Sequence, residues 1–176
     1  MGQLIEELRD LKQGHIFYKY ENDEKYLSNL LSFILLGLKR QHRILVVESA
    51  KNLPKLKEKM KSLIPADKMS EILLINNFDF YHLNGDFHTH TIVNHFSNHT
   101  MVLDQENKPA WTWAHVEWSS QEANGELVQK FECKANELIQ KERRLSVCAY
   151  PLERLTPKLC SILSNNHDYL INDNKS

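Results

Sequence analysis

Residues 14 to 49 read GHIFYKYENDEKYLSNLLSFILLGLKRQHRILVVES, and they contain the clearest structural pattern of the sequence. An apolar strand over residues 14–20 precedes a helix over residues 23–39, and a second apolar strand follows over residues 43–48. A unit of this kind usually carries a glycine-rich turn and a lysine that hold phosphate. The turn here, residues 20–24, has no glycine and contains three carboxylates. The pattern therefore predicts a nucleotide-binding scaffold without a functional phosphate loop.

The rest of the chain continues the alternation of helices and strands. Strands are predicted over residues 72–75, 110–118 and 145–150, and helices over 1–12, 53–64, 90–103, 121–141 and 157–164. Asn52 and Thr156 are predicted helix caps, and Asn84-Gly85-Asp86 a turn. The predicted fold class is α/β, with a mostly parallel sheet flanked by helices on both faces in three layers. We expect one domain over residues 1–171 and a frayed polar tail over 172–176.

Bulk properties exclude several function classes. The net charge is −1 and the pI about 6.8, so no global field attracts nucleic acid or anionic lipid. The cysteines at positions 133, 148 and 160 form no CxxC pair, which argues against a disulfide framework or a thiolate zinc site. The longest apolar run, residues 30–38, is too short to span a bilayer, and no signal peptide precedes the domain. We expect a cytoplasmic protein.

Parallel α/β sheets bind ligands at the carboxyl ends of their strands. The side chains that leave those ends are therefore the candidate binding residues, together with the acid at the phosphate-loop position. They are Tyr18, Tyr20, Glu21, Glu48, Glu117, Trp118 and Tyr150. For Tyr18, Tyr20 and Glu21 a purely structural role in the turn is the alternative.

Several segments, in order, resemble the MEDS domain, the sensory domain of methanogens, methylotrophs and the DcmR regulator. They are GHIFYKYEN at 14–22, FILLGL at 33–38, FECKAN at 131–136, CAY at 148–150 and NH at 166–167. The resemblance implies a domain related to KaiC and RecA ATPases, without a working phosphate loop. It also implies a sensing role alongside histidine kinases or transcription regulators.

The chain departs from the family pattern at two acidic positions. His115 stands where the family has a glutamate on a central strand, and Pro151 stands where it has an aspartate. Glu117 replaces that glutamate only if the strand shifts its register, and a one-residue slip turns a side chain to the other face. Ligand contacts carried by those family acids do not transfer to this chain.

Histidines, tryptophans and one cysteine offer further candidates. Five histidines lie between His82 and His99, and they are interpreted either as surface and capping residues, as a metal site or as a pH-sensitive cluster. Trp111, Trp113 and Trp118 are interpreted as core or as a ligand wall. Cys148 is expected to be a buried core thiol, because its neighbours in the sequence are small and apolar. A nucleophilic cysteine would need a histidine base beside it.

The favoured function is a non-catalytic sensory domain that binds a small ligand or a protein partner at the strand ends. The expected partner is a histidine kinase or a transcription regulator on which the domain acts in trans, and a homo-oligomer is also considered. We assign no catalytic residue, metal ligand or cofactor, and expect no contact with nucleic acid or membrane. The alternatives are a pure interaction module with a vestigial pocket and a metal-dependent enzyme that uses His88 and His90.

Overall fold

Six parallel strands form the central sheet. The computed structural model describes residues 3–82, 89–118 and 126–173. The strands are β1 (Gly14–Tyr20), β2 (Ile44–Glu48), β3 (Ile72–Asn76), β4 (Trp111–His115), β5 (Leu145–Pro151) and β6 (Tyr169–Asn172). They follow the order β3-β2-β4-β5-β1-β6, and every neighbouring pair is parallel. The predicted parallel sheet is confirmed.

Helices cover both faces of this sheet. They are α1 (Gln3–Leu8), α2 (Asp23–Lys39), α3 (Asn52–Leu63), α4 (Asn77–His82), α5 (Thr89–Leu103), α6 (Glu126–Glu142) and α7 (Pro157–Asn165). Two short 3-10 segments, Ala66–Glu71 and Leu152–Arg154, lie between them. The first three helices share one hydrophobic core with the sheet, and the last four share the other. The three-layer prediction is therefore confirmed.

The position of β1 explains its composition. It lies between β5 and β6, and six of its seven residues are buried. A strand inside a covered parallel sheet is buried on both faces, so its sequence is almost continuously apolar. Ile16 and Tyr18 face the core of α1–α3, whereas Phe17 faces the core of α4–α7. His15 and Lys19 are the polar exceptions, and of these His15 is fully buried.

Two predicted helix caps had different outcomes. The Thr156 hydroxyl accepts the Leu159 N–H at 3.1 Å, which confirms the cap of α7. The predicted Asn52 cap is wrong, since α3 begins at Asn52 itself and Lys51 precedes it without a side-chain cap. The Asn52 amide donates instead to Glu48 Oε1 at 3.2 Å.

Other predicted element boundaries differ from the observed ones, because tertiary contacts outweigh the local sequence pattern there. The predicted strand 110–118 ends at His115, whose carbonyl accepts the Asn77 amide at 3.0 Å. Helix α4 and strand β6 were not predicted, because α4 has six residues and β6 is a four-residue edge strand with Tyr169 and Leu170 exposed. The predicted turn at 84–86 and the start of the predicted helix 121–141 lie outside the described residues.

A buried arginine ties the start of β5 to the segment that precedes β4. The Arg144 side chain has no exposed surface, and its two Nη atoms donate to the Asp104 carboxylate at 2.8 and 2.9 Å. It also donates to the Ala110 carbonyl at 2.7 Å and, through Nε, to Glu142 Oε2 at 3.0 Å. A bidentate arginine with this many acceptors holds its segment in one geometry.

We expect Arg144→Met to lower the free energy of unfolding by about 3 kcal/mol, because Asp104 and Ala110 lose a buried donor. Urea denaturation followed by tryptophan fluorescence measures the change. The matched control is Arg143→Met at the exposed neighbouring position, with an expected change within about 0.5 kcal/mol. Equal urea midpoints for the two variants would contradict this role.

Candidate functional site

The turn between β1 and α2 stands where a phosphate loop would lie. Strand β1 ends at Tyr20 and α2 begins at Asp23, so only two residues connect them. The Asn22 side chain accepts the Lys25 N–H at 2.9 Å and caps the helix. The turn is therefore held by its own side chain.

A carboxylate from the other end of the chain occupies this turn. The backbone N–H groups of Glu21 and Asn22 each donate to Asp173 Oδ2 at 3.1 Å. Lys25 Nζ lies 3.4 Å from the Asp173 carbonyl oxygen. Backbone donors at a helix N-terminus attract anions, and Asp173 supplies one internally. Two residues of the tail predicted from residue 172 therefore have contacts, Asn172 in β6 and Asp173 at this turn.

A pocket of about 650 Å³ opens beside this turn, at the carboxyl edge of the sheet. We call it the edge pocket. Its walls come from the ends of β1, β2, β4 and β5 and from the segments that follow them. The lining residues are Tyr20, Glu21, Asp23, Ser49, Lys51, Asn52, His115, Glu117, Pro151, Leu152, Glu153 and Arg154.

Carboxylates outnumber cations in the edge pocket. The acids are Glu21, Asp23, Glu117 and Glu153, against Lys51 and Arg154. Both cations already have partners: Lys51 Nζ lies 3.4 Å from Asp23 Oδ2, and Arg154 Nη1 lies 2.6 Å from Glu117 Oε1. The lining therefore disfavours a polyanionic ligand.

A buried hydrogen-bond network, which we call the Glu48 network, forms the floor of the edge pocket. His115 joins its two halves, with Nε2 at 2.8 Å from the Tyr20 hydroxyl and Nδ1 at 2.6 Å from Glu48 Oε1. The Tyr26 hydroxyl donates to Glu48 Oε2 and accepts Trp113 Nε1–H at 2.9 Å. Asn52 completes the set through its bond to Glu48. The network thus links β1, β2, β4, α2 and α3.

The network keeps the carboxylate ionised despite its burial. Burial alone raises the pKa of Glu48, but the hydrogen bond and charge of His115 outweigh it, so that this pKa lies below its usual value. Burial and the Glu48 charge together raise the pKa of the Tyr26 hydroxyl. Tyr26 therefore stays a donor to the carboxylate.

Arg154 lines the edge pocket where the segment after β4 meets the segment after β5. The Arg154 guanidinium stacks over the Trp118 ring at 4.3 Å and donates to the Trp118 carbonyl at 2.6 Å. With its ion pair to Glu117, it fixes the segment that leaves β4 against the segment that leaves β5. Arg154 itself was not predicted, because it lies beyond the strand end, in a 3-10 segment with no sequence signature.

The structure brings five of the seven predicted site residues together. Tyr20, Glu21 and Glu117 line the edge pocket, Glu48 lies in its floor, and Trp118 lies beneath Arg154.

Tyr18 and Tyr150 are not brought to the pocket. Tyr18 is fully buried, stacks on Tyr26 and accepts the Asn29 amide at 2.8 Å. Tyr150 lies on the other face of the sheet, where its hydroxyl donates to Glu132. Strand ends carry side chains to both faces, and the sequence does not state which face opens to solvent.

His115 places an imidazole where the family has the carboxylate of a glutamate. It stays on β4 in register with Ala149 of β5 and points to Glu48, so the Glu48 carboxylate supplies the acid of this site. Glu117 lies after the strand and pairs with Arg154, without a register shift. Both residues line the edge pocket, where His115 contacts Glu48 and Glu117 pairs with Arg154.

The histidines between 82 and 99 contact protein groups. His95 Nδ1 lies 3.2 Å from the Phe80 carbonyl oxygen, and the His99 ring lies near the Phe80 ring. His90 Nε2 lies 3.3 Å from the Asn94 amide nitrogen, and His88 lies outside the described residues. Within the described residues, ligand-type side chains converge elsewhere, on His15, Glu132, Cys148 and His167.

Core packing accounts for two tryptophans, and Cys148 has an unexpected neighbour. Trp111 and Trp113 are both buried in the core of α1–α3. Cys148 is buried as expected, but His15 Nε2 lies 3.3 Å from its sulfur. The prediction of a buried core thiol is therefore confirmed, and a histidine lies beside it. Its partner is 133 positions away in the sequence and had no local signal.

We expect Glu48→Gln to lower the free energy of unfolding at neutral pH by about 2 kcal/mol, because it removes the charged acceptor. Since folding lowers the pKa of Glu48, this contribution is present above the unfolded value of 4.5 and is lost as pH falls through the folded value. Urea unfolding from about pH 7 to about pH 3 measures the difference between wild type and variant.

The difference should shrink at acidic pH. Glu24→Gln, an exposed acid on α2, is the control and should show neither the loss nor its pH dependence. A difference that stays constant down to the lowest pH would show that Glu48 is not held ionised by the fold.

Two solved structures have a fold similar to that of this chain. The flagellar accessory protein FlaH from Methanocaldococcus jannaschii has a TM-score of 0.57 and 13% identity, over 90% of this chain and 70% of that chain. The ATPase domain of a second protein has a TM-score of 0.55 and 7% identity, over 92% of this chain and 69% of that chain. At these identities the likeness shows the fold alone.

Sequence comparison identifies the family. No curated protein matches the chain. In the described ranges, no helix combines the length and the apolar composition needed to cross a membrane. The family model described as the methanogen/methylotroph, DcmR sensory domain (MEDS) matches residues 14–168. Because this match covers most of the chain, the protein belongs to the MEDS family.

Proposed function

We propose that this protein is a non-catalytic sensory domain that binds a small ligand in the edge pocket and passes the signal to a histidine kinase or a transcription regulator. Membership of a sensory-domain family supports the regulatory role. The observation that supports a ligand site is the edge pocket itself, which lies at the strand ends where α/β folds bind ligands.

Two features argue against a nucleotide as the ligand. The donors at the start of α2, which would bind phosphate, already bind the Asp173 carboxylate. Four carboxylates line the pocket against two paired cations, so a triphosphate would meet net repulsion. The proposed ligand is a small polar molecule that is uncharged or cationic.

The Glu48 network provides a route from the pocket to the helices. A ligand that bonds to His115 or Tyr20 competes with the bonds these groups make to the network. The same network includes Tyr26 of α2 and Asn52 of α3, and both helices cover one face of the sheet. A ligand that binds one arrangement of these bonds more tightly shifts the protein toward it.

We expect no saturable binding of ATP with magnesium up to about 1 mM, and no magnesium-dependent release of phosphate, because the phosphate position is filled and the lining is acidic. Isothermal calorimetry and a phosphate assay on the wild-type protein measure the two quantities. A micromolar affinity with turnover would contradict the proposal and would favour an ATPase.

We expect that a small molecule co-purifies with the wild-type protein from an extract of its native cells. Reversing two exposed pocket acids, Glu21→Lys with Glu153→Lys, should remove this molecule, because the pocket loses its acidic character. The control, Glu24→Lys with Glu58→Lys, changes the net charge equally at exposed sites outside the pocket. Mass spectrometry of the bound proteins and small molecules provides both readouts.

The same experiment separates the alternative, an interaction module with a vestigial pocket. Exposed apolar side chains on α4 and α5 favour that alternative: Phe78 is 62% exposed, Met101 72% and Val102 76%. The interaction-module alternative predicts that every variant retains a protein partner. It also predicts that no small molecule is lost when the pocket acids are changed. That result would contradict the sensory proposal.

A further inference from the structure

Four metal-ligand side chains converge on the face of the sheet opposite the edge pocket. We call them the buried quartet: His15 of β1, Glu132 of α6, Cys148 of β5 and His167, which follows α7. All four are buried. One ligand atom from each lies within 4.8 Å of every other.

Their spacing approaches that of a tetrahedral metal centre. His15 Nε2 lies 3.3 Å from Cys148 Sγ and 3.3 Å from Glu132 Oε2, and His167 Nε2 lies 3.2 Å from the same oxygen. Tetrahedral zinc holds its ligands at roughly 2.0–2.3 Å, which puts pairs of ligand atoms about 3.3–3.7 Å apart. Three pairs already lie near this range, and the widest must shorten by about 1 Å.

Outer hydrogen bonds orient both imidazoles toward the centre. His15 Nδ1 lies 3.1 Å from Asn136 Oδ1 and 3.2 Å from the Asn166 carbonyl oxygen, and His167 Nδ1 lies 2.6 Å from the Leu163 carbonyl oxygen. Carbonyl oxygens only accept, so each Nδ1 donates and each Nε2 presents a lone pair. This is the arrangement of metal-binding histidines.

Two buried acceptors then face each other without a hydrogen bond. Glu132 Oε2 and His167 Nε2 have no hydrogen-bond partner, although they are 3.2 Å apart. The Tyr150 hydroxyl donates to the other carboxylate oxygen, so it does not satisfy Oε2. A buried pair of this kind needs either a proton or a metal ion between its two atoms.

We propose that the buried quartet is a closed tetrahedral site for a divalent transition metal of the zinc class, with His15, His167, Cys148 and Glu132 as ligands. Mixed nitrogen, sulfur and oxygen donors suit such an ion. On binding, the Cys148 thiol releases its proton and the thiolate sulfur bonds to the metal. Thiolate and carboxylate then balance the divalent charge, so the buried centre is neutral.

The set has four protein ligands and no open position, which defines a structural site. The metal would fasten α6 and the segment after α7 to β1 and β5. This site does not depend on the edge pocket, which lies on the other face of the sheet.

Cobalt(II) is the probe for the test, on untagged protein first stripped with a chelator. We expect about one cobalt per chain, with the absorption bands of tetrahedral cobalt and a thiolate-to-cobalt charge-transfer band. Added zinc should remove both signals by displacement. Cys148→Ser should lose the charge-transfer band, with circular dichroism to verify its fold.

Matched controls test whether the site is specific. Cys133→Ser changes a neighbouring thiol, 3.5 Å from Asn166 Oδ1, and should keep the band. His95→Gln with His99→Gln removes the helical histidine pair and should keep it as well. A charge-transfer band that survives Cys148→Ser, or less than about a tenth of an equivalent of cobalt on folded wild type, would overturn the proposal.

X-ray absorption of the cobalt-loaded wild type decides the matter if Cys148→Ser does not fold. The proposal requires one sulfur at about 2.3 Å and two imidazole nitrogens in the first coordination shell. A shell without sulfur would show that Cys148 is not a ligand and would overturn the proposal.

Discussion

A carboxylate with no access to water constrains the whole carboxyl edge of the sheet. Glu48 is fully buried, so its charge has to be met by protein groups. Those groups come from separate elements: Tyr26 from α2, Asn52 from α3 and His115 from β4. The elements that enclose the edge pocket are therefore fixed relative to one another by a single ionised side chain.

The two faces of the sheet repeat one chemical arrangement with different access to solvent. On each face a tyrosine donates to a buried carboxylate that also meets histidine: Tyr26 to Glu48, and Tyr150 to Glu132. The Glu48 network reaches the pocket through His115, which is 8% exposed. The buried quartet has no such opening. One arrangement meets solvent at the edge pocket, and the other lies inside the core of α4–α7.

The first βαβ unit could be predicted nearly residue by residue, because its signals are local. β1 and α2 have the predicted bounds, since an apolar run and a helical repeat are each contained in one segment. The site was predictable only as a region. Tyr20 and Glu21 follow from the strand-end rule, but Arg154 and Lys51 act from the segments beyond.

The buried quartet could not be predicted as a set. Family resemblance marked the segments that contain all four residues, but not their convergence. His15 reads as one polar residue inside an apolar strand, and its contact with Cys148 spans 133 positions. Such a contact depends on the register of β1 against β5, which tertiary packing sets.

The Asp173 carboxylate at the β1–α2 turn also imposes an order of events during synthesis. Glu21 and Asn22 leave the ribosome about 150 residues before Asp173, so their N–H groups face water while the sheet assembles around them. The turn reaches its final state only after β6 joins the edge of the sheet. The start of α2 is therefore made well before the residue that completes its hydrogen bonds.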